Sequence, residues 1–325
     1  DVTGKLGIKE ILETPNNFKK STNKVLGYGF SKSSIWIKLN VKNQSTIKDW
    51  VLSINFPDLD HLILHKRKNG LWIENYAGDI FSTKKWEYLY KDYVFNLDGE
   101  GVYYLEVRSR GALSIPLKIL TKGDFLKLKT KNNFFFGGYF SILFFCIVYN
   151  FIMAIFLKSK SFFYYSGYLV GVTWMTLILS GVGRSFLIDS VWFSNEGFVF
   201  SLIFFFFFYL LFTKEFLNVG EKNKRILKYY NRSLLCIGLF LFIAPFIPLT
   251  YNLNLITFYA VPSIGTTFFT AVYFFKKDRA ARLYVYAFFI VLTGGVSKSL
   301  GSFGVIPPTF IIEVMIFLGF IIQVT

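Results

Sequence analysis

Two rhythms divide the chain. Between residues 35 and 120 apolar and polar positions alternate in short runs, and after Asn133 the apolar positions fuse into long unbroken stretches. Alternation with period two puts successive side chains on opposite faces of a β-strand. Ile35–Val41, Trp50–Asn55, Leu62–Lys66, Leu71–Asn75, Tyr93–Leu97, Val102–Arg108 and Leu113–Leu120 read as strands on this criterion. Asn69-Gly70 is a two-residue hairpin signal, and Asp98-Gly99-Glu100-Gly101 and Gly111 are turn chemistry. Residues 1–30 are less regular, with a short helix expected near Ile8–Glu13. Short, closely spaced strands without helical periodicity predict an antiparallel β-sandwich or jelly roll.

The second rhythm predicts membrane spans, since a helix needs roughly 20 apolar residues to cross about 30 Å of hydrocarbon. Seven segments qualify: Phe134–Leu157, Phe162–Val182, Phe198–Phe212, Leu234–Leu249, Leu255–Phe275, Leu283–Val296 and Phe310–Val324. The third, fourth, sixth and seventh are short and are expected to extend into their flanks. Pro245, Pro248 and Pro262 lie within or beside spans, where neighbouring helices can satisfy the carbonyls that proline frees. The expected fold class is therefore mixed: an all-β sandwich or jelly roll over residues 1–130, then an α-helical seven-transmembrane bundle over 131–325.

Composition agrees with that division. The chain is 53% hydrophobic and only 17% charged, against roughly a quarter charged in a soluble globule. The net charge of +16 separates into 22 Lys/Arg against 14 Asp/Glu before residue 133, and 14 against 6 after it. No Arg-rich cluster sits among aromatics in a polar segment, so nucleic acid is not an expected partner. The basic residues of the second part instead mark topology. Twelve fall in alternate short loops, at Lys158, Lys160, Lys214, Lys222, Lys224, Arg225, Lys228, Arg232, Lys276, Lys277, Arg279 and Arg282, whereas the other loops hold only Arg184 and Lys298. Basic loops stay in the cytoplasm, which puts the β domain outside despite Lys122, Lys127, Lys129 and Lys131 just before the first span. Cys146 and Cys236 both lie in apolar runs, so the external domain has no disulfide. The chain opens at Asp1 with no apolar leader, and export implies a signal peptide already removed.

Candidate chemistry is sparse. Trp72, Trp86, Tyr88 and Tyr90 surround the segment from Gly78 to Lys91, which also carries Asp79, Lys84, Lys85 and Glu87. Aromatics beside charged groups can stack on a sugar ring or an amphipathic ligand, so Trp72, Asp79, Trp86 and Tyr88 are the ligand-binding candidates. Trp36, Trp50 and Trp72 are expected as sandwich core ahead of that role, and Trp86 fits either. His61 and His65 would be about 13 Å apart along a strand, too far to share one ion, so no metal is expected. No hydrolase, zincin or nucleotide-loop motif occurs, so neither enzymatic activity nor a cofactor is expected of this chain. Glu313 in the last span, Lys298, Asp189 and Arg184 would either form an ion-pair layer at the outer face or lie hydrated there. Gly294-Gly295 with Ser297, and Gly137-Gly138, read as close-packing devices.

The stretch GGYFSILFFCIVYNFIMAIFLKSKSFFYY from Gly137 to Tyr165 resembles the opening of the bacterial seven-transmembrane receptors with diverse intracellular signalling modules. The shared features are a Gly at the start of the first span, Tyr149-Asn150 late in it, the basic loop Lys158 to Lys160 and the aromatic start Tyr164-Tyr165. Glu313 before an apolar run is similar to that family's last span. SSIWIKLNVKNQS, DWVLSINFPDLDHLILH and GVYYLEVRSRGALSIPLKI resemble its second type of extracellular domain. The resemblance implies a jelly roll akin to carbohydrate-binding modules, with a cyclase, diguanylate cyclase, histidine kinase or phosphatase module beyond Thr325. As polar groups that could differ between two states of the bundle, Tyr149, Asn150, Lys298 and Glu313 are the candidates for transmembrane coupling.

The expected protein is a sensory receptor of the bacterial inner membrane. Its partners would be the lipid bilayer, an external small molecule or carbohydrate, and a covalently linked cytoplasmic module, with a homodimer left open. The alternatives are a membrane transporter or membrane-embedded enzyme with an exported accessory domain, which the scarcity of intramembrane charge disfavours, and a scaffold binding another envelope protein.

Overall fold

The computed structural model describes residues 1–302 apart from 2, 3, 5, 15–17, 22–24, 32 and 58. Two compact units share the chain. Asp1–Phe135 and Ile178–Ser194 form one, and Phe136–Leu177 and Asn195–Lys298 belong to the other.

The first unit is a sandwich-like array of antiparallel sheets behind a short helix α1 (Ile8–Glu13). Strand β1 (Leu26–Phe30) pairs with β8 (Ala112–Ile115). A four-stranded sheet runs in the order β2 (Ile35–Val41), β7 (Gly101–Arg108), β4 (His61–Lys68) and β5 (Leu71–Ala77). A three-stranded sheet places β3 (Trp50–Ile54) between β6 (Tyr93–Leu97) and β9 (Leu117–Thr121). The alternation now has a physical result. Leu62 and Leu64 of β4, and Tyr103, Leu105 and Val107 of β7, turn the same way into a buried cluster with Leu52, Ile54, Phe95 and Leu97. Each fully buried leucine contributes about 1.5–3 kcal/mol by leaving water. Asn69 and Gly70 both take positive φ, 51° and 82°, and close the β4–β5 hairpin with Lys68 opposite Leu71.

The structure corrects the strand reading at three places. The single strand expected over Leu113–Leu120 is two, because Pro116 has no N–H for a ladder and the chain changes sheet there. Strand β1 was not expected: its sequence LGYGF interrupts the alternation with two glycines, and the pairing with β8 is irregular between them. Trp36 and Trp72 are not sandwich core. Trp36 has the opposite parity to Ile35 and Ile37, which pack on the core, and it stacks on His65 with centroids 5.2 Å apart. Trp72 stands edge-on to Tyr104, 5.6 Å away. Trp50 does pack against the core, and its indole N–H donates to the Ile47 carbonyl at 2.9 Å.

The helices follow the second rhythm. They are α2 (Lys122–Phe156), α3 (Lys160–Leu179), α4 (Val182–Phe186), α5 (Val191–Ser194), α6 (Glu196–Phe216), α7 (Val219–Lys222), α8 (Lys224–Ile243), α9 (Leu249–Phe274) and α10 (Arg279–Ser302). Among the described residues, α2, α3, α6, α8 with the turn that follows it, and α9 are long and apolar enough to cross a membrane. The short third span extends into both flanks in α6 and the fourth extends at its start in α8, whereas α3 stops at Leu179, short of Val182. The sixth expected span lies within α10, and the seventh, Phe310–Val324, is outside the described residues. Phe242, Phe258 and Phe269 turn bare rings outward, at 73%, 82% and 70% exposure, which suits hydrocarbon and not water.

Pro245 lies at the start of the 3-10 turn that follows α8, and Pro262 lies inside α9. Pro248 caps α9, and the Asn252 amide donates to the carbonyls of Ala244 and Ile247 at 2.8 and 2.9 Å. Close helix approach occurs at Gly167 and Gly171 of α3. A Cβ would lie 2.2 Å from the Phe208 ring at the first and 2.8 Å from the Phe205 Cα at the second. Among the described residues nothing lies within 4 Å of a Cβ at Gly137 or Gly138, and the close approach is made by this other glycine pair. Gly294, Gly295 and the Ser297 side chain fall outside the described residues.

Candidate functional site

Two helical segments are built into the β domain, and both are chain connections to membrane spans. The first is the start of α2. Strand β9 ends at Thr121 and α2 begins at Lys122 without a linker. The Thr121 hydroxyl accepts from the Asp124 N–H at 3.1 Å and donates to the Asp124 carboxylate at 2.8 Å, a reciprocal cap that starts the helix. One turn in, Phe125 is fully buried in a small second core with Val51, Tyr90 and Val94, with Tyr88 and Leu120 against it. The same helical face carries Lys129, whose ammonium donates to the Leu89 carbonyl at 3.2 Å, and Asn132, whose amide donates to the Tyr90 hydroxyl at 2.5 Å.

The second is residues 178–194, the connection between α3 and α6. Gly181 takes φ +73°, and a Cβ there would lie 2.6 Å from the Lys91 carbonyl oxygen, so the backbone approach requires glycine. Arg184, only 5% exposed, donates to the carbonyls of Asp79 and Phe81, the latter at 2.5 Å, and its guanidinium lies 5.5 Å from the Trp86 ring. Asp189 accepts from the Ser82 hydroxyl at 2.8 Å and the Thr83 N–H at 2.9 Å, at the head of the short 3-10 turn Thr83–Lys85. Burial acts to raise the Asp189 carboxyl, but those hydrogen bonds outweigh it and hold the group below the usual carboxylate range. Burial lowers Arg184. A cavity of about 30 Å³, one water in size, remains between Pro57, Asp79, Trp86, Gly181 and Arg184.

The ligand candidates from the sequence are separated by this arrangement. Asp79 and Trp86 form the seat for Arg184. Tyr88 donates its hydroxyl to Asn96 at 2.6 Å and packs edge-on to Phe125. Trp72 lines a different, open cleft of about 450 Å³ with Arg67, Glu100 and Tyr104. Arg184 and Asp189, for which an ion-pair layer with Lys298 and Glu313 was one of two readings, bind main-chain and hydroxyl groups of the β domain. Glu313 and the Lys298 side chain lie outside the described residues.

His61 and His65 lie on one face of β4. Their Nε2 atoms both approach the same Glu106 Oε2, each at 3.9 Å, because β7 sets Glu106 opposite Ile63, between them. Arg108 and the Ser34 hydroxyl take the other Glu106 oxygen. Burial would raise Glu106, but His65 beside it and hydrogen bonds from Arg108 and Ser34 hold it low, while burial lowers His61. Among the described residues, no group of three or more His, Cys, Asp or Glu is placed to hold a metal ion.

In the helical unit, Tyr149 is half-exposed and stacks on Phe145, and the Asn150 amide donates to Cys146 within its own helix at 2.8 Å. The polar contacts between helices lie elsewhere. Tyr284 of α10 donates to the Tyr209 hydroxyl of α6 at 2.6 Å, and Tyr209 meets the Thr267 hydroxyl of α9 at the same distance. Thr213 and Tyr284 approach at 3.3 Å. Sequence reading missed this buried network because Tyr and Thr in apolar runs look like ordinary span residues. The only signal was the i, i+4 spacing of Tyr209 and Thr213.

Compared with known proteins, residues 132–325 match the family model described as 7TM diverse intracellular signalling. Residues 1–121 match the model described as 7TMR-DISM extracellular 2. No curated protein matches the chain.

Proposed function

Because the chain belongs to the 7TM diverse intracellular signalling family and carries that family's second extracellular domain, we propose that it is a sensory receptor of a bacterial inner membrane whose β domain binds an external small molecule or carbohydrate and relays binding to a linked cytoplasmic module. It is a multi-pass membrane protein with its N-terminal domain outside. The observation that carries the relay is the docking of 178–194 on residues 79–86. A change in the β domain at Asp79 or Trp86 displaces a segment joined covalently to two spans, α3 and α6. The Phe125 anchor gives the same change a second route, into α2. Relay of this kind requires a ligand to bind two arrangements with different affinity. On this reading the chain performs no chemistry itself, and enzymatic output belongs to the linked module.

The test uses the whole chain in lipid nanodiscs, presented to an array of glycans and small polar metabolites. Hydrogen exchange follows with each ligand found. A ligand that alters protection in 79–86, 122–132 and 178–194 supports the receptor. Solute uptake into proteoliposomes without such changes would replace it with the transporter, and binding only of other envelope proteins would favour the scaffold.

A further inference from the structure

Asp79 places its carboxyl where segment 178–194 docks, in surroundings that do not settle its charge. Its Oδ1 is sealed from solvent without a hydrogen-bond partner. Backbone bonds set Asp79 beside Asp60, with the Asp79 N–H donating to the Leu59 carbonyl at 3.0 Å and the Ile80 N–H to the Asp60 carbonyl at 3.1 Å, and Asp60 in turn accepts from the Arg110 backbone N–H and guanidinium. Neighbouring carboxyls repel when both are ionised, and a proton on one of them removes the repulsion. Arg184 does not compensate directly, since it donates to the carbonyls of Asp79 and Phe81 and its Nε has no partner.

The geometry points to a proton-binding site at Asp79 that controls docking of segment 178–194, making external pH an input to the receptor. This deepens the relay described above and rests on that reading for its meaning. Ile178, Gly181, Arg184 and Ser194 supply much of the wall beside Asp79, so undocking would open the carboxyl to water. Burial first, then Asp60, push Asp79 up to about 8, against a weaker pull from Arg184 and Arg110. The other charged or titratable groups facing this cluster are His61 beside Asp60, Asp189 beside Arg184, and Tyr93, Lys91 and Asp92 at the start of β6, with Lys91 paired to Asp92 at 2.8 Å.

The sign follows from linkage. A carboxyl raised in the docked state and near its ordinary value when undocked makes docking take up a proton. Docking is therefore strongest at low pH, weakens as pH rises from the ordinary carboxylate range to about 8, and changes no further above that. Each unit by which the two values differ is a factor of about ten in the docking equilibrium.

Hydrogen exchange of 178–194 in the whole chain in nanodiscs, corrected for intrinsic rates, tests this between pH 5.5 and 9. Protection should fall at least ~tenfold up to pH 8 and then level, as one pKa unit of linkage requires. Asp79→Asn should hold protection high throughout. A flat wild-type profile, or an Asp79→Asn profile with the wild-type slope, overturns the proposal. If Asp79→Asn loses protection in strands 50–54 and 101–108 and so fails to fold, Asp60→Asn decides: the transition moves to lower pH if the carboxyl pair sets it, and an unmoved transition overturns the proposal. Neither ligand nor signalling output enters this measurement, so its failure is distinct from failure of the receptor reading.

Discussion

The ring of Phe125, on the first turn of α2, stands edge-on to Tyr90 with centroids 5.4 Å apart and planes at 82°. That contact fixes the start of a 35-residue helix to the sandwich. Since the Tyr90 hydroxyl also accepts from Asn132, two turns of the helix are held by one tyrosine.

Phe125→Ala should therefore loosen the junction while leaving the main sandwich core intact. Truncating a buried phenylalanine costs about 3–5 kcal/mol. Hydrogen exchange should show lost protection in 88–95 and 122–132 but not in 62–64. Equal loss in both places would mean that the two cores unfold as one.

Gly181→Ala should undock 178–194. The new methyl meets the Lys91 carbonyl, and the positive φ adds of order 1–3 kcal/mol of strain. Limited proteolysis in nanodiscs should cut within 178–194 faster than in the wild type. Ser190→Ala, elsewhere in the segment, should cut at the wild-type rate.

Acid should destabilise the β domain through His61 and Glu106. His61 is lowered by folding, so its contribution is complete above its unfolded value of 6.5 and is lost as pH falls below it. Glu106 is also lowered, and its contribution is lost as pH falls below 4.5. With Asp79→Asn in place to remove the opposite pH dependence of that raised carboxyl, the melting temperature of the domain transition should drop in two stages, one below pH 6.5 and one below pH 4.5. His61→Gln should remove the first stage and keep the second.

The hydroxyl network in the helical unit should be non-additive. Tyr209→Phe leaves Thr267 and Tyr284 each short of a partner, a loss on the order of 0.6–2 kcal/mol in a membrane bundle. In a double-mutant cycle read by denaturant unfolding in detergent, Tyr209→Phe with Tyr284→Phe should cost less than the two single changes added. Simple additivity would show that the hydroxyls act independently.

Where one force dominates, the sequence is readable. Leu62, Leu64, Tyr103 and Leu105 announce their strands because burial alone dictates their alternation. The spans of α2, α3, α6 and α9 follow from length and hydropathy in the same way. Strand β1 was hidden because glycine has no side chain to register a face, and Pro116 looked like mid-strand because alternation continues on both sides of it. Docking of 178–194 was not legible at all. Arg184 and Asp189 were conspicuous as charges, but their partners are carbonyls, an N–H and a hydroxyl more than a hundred positions away, groups that nearly every residue could offer. That Glu106 reaches between His61 and His65 from the next strand was not legible either, because spacing along one strand does not show what the neighbouring strand sets opposite.

The seamless passage from Thr121 into Lys122 has a consequence for how such a protein can be recombined. A helix turns by about 100° per residue, so one amino acid inserted after Asn132 would swing every later side chain of α2 around its axis while Phe125, Lys129 and Asn132 stayed put. A foreign sensor grafted here would have to arrive in helical phase, and chimaeras differing by single residues should alternate between responsive and silent as the join advances.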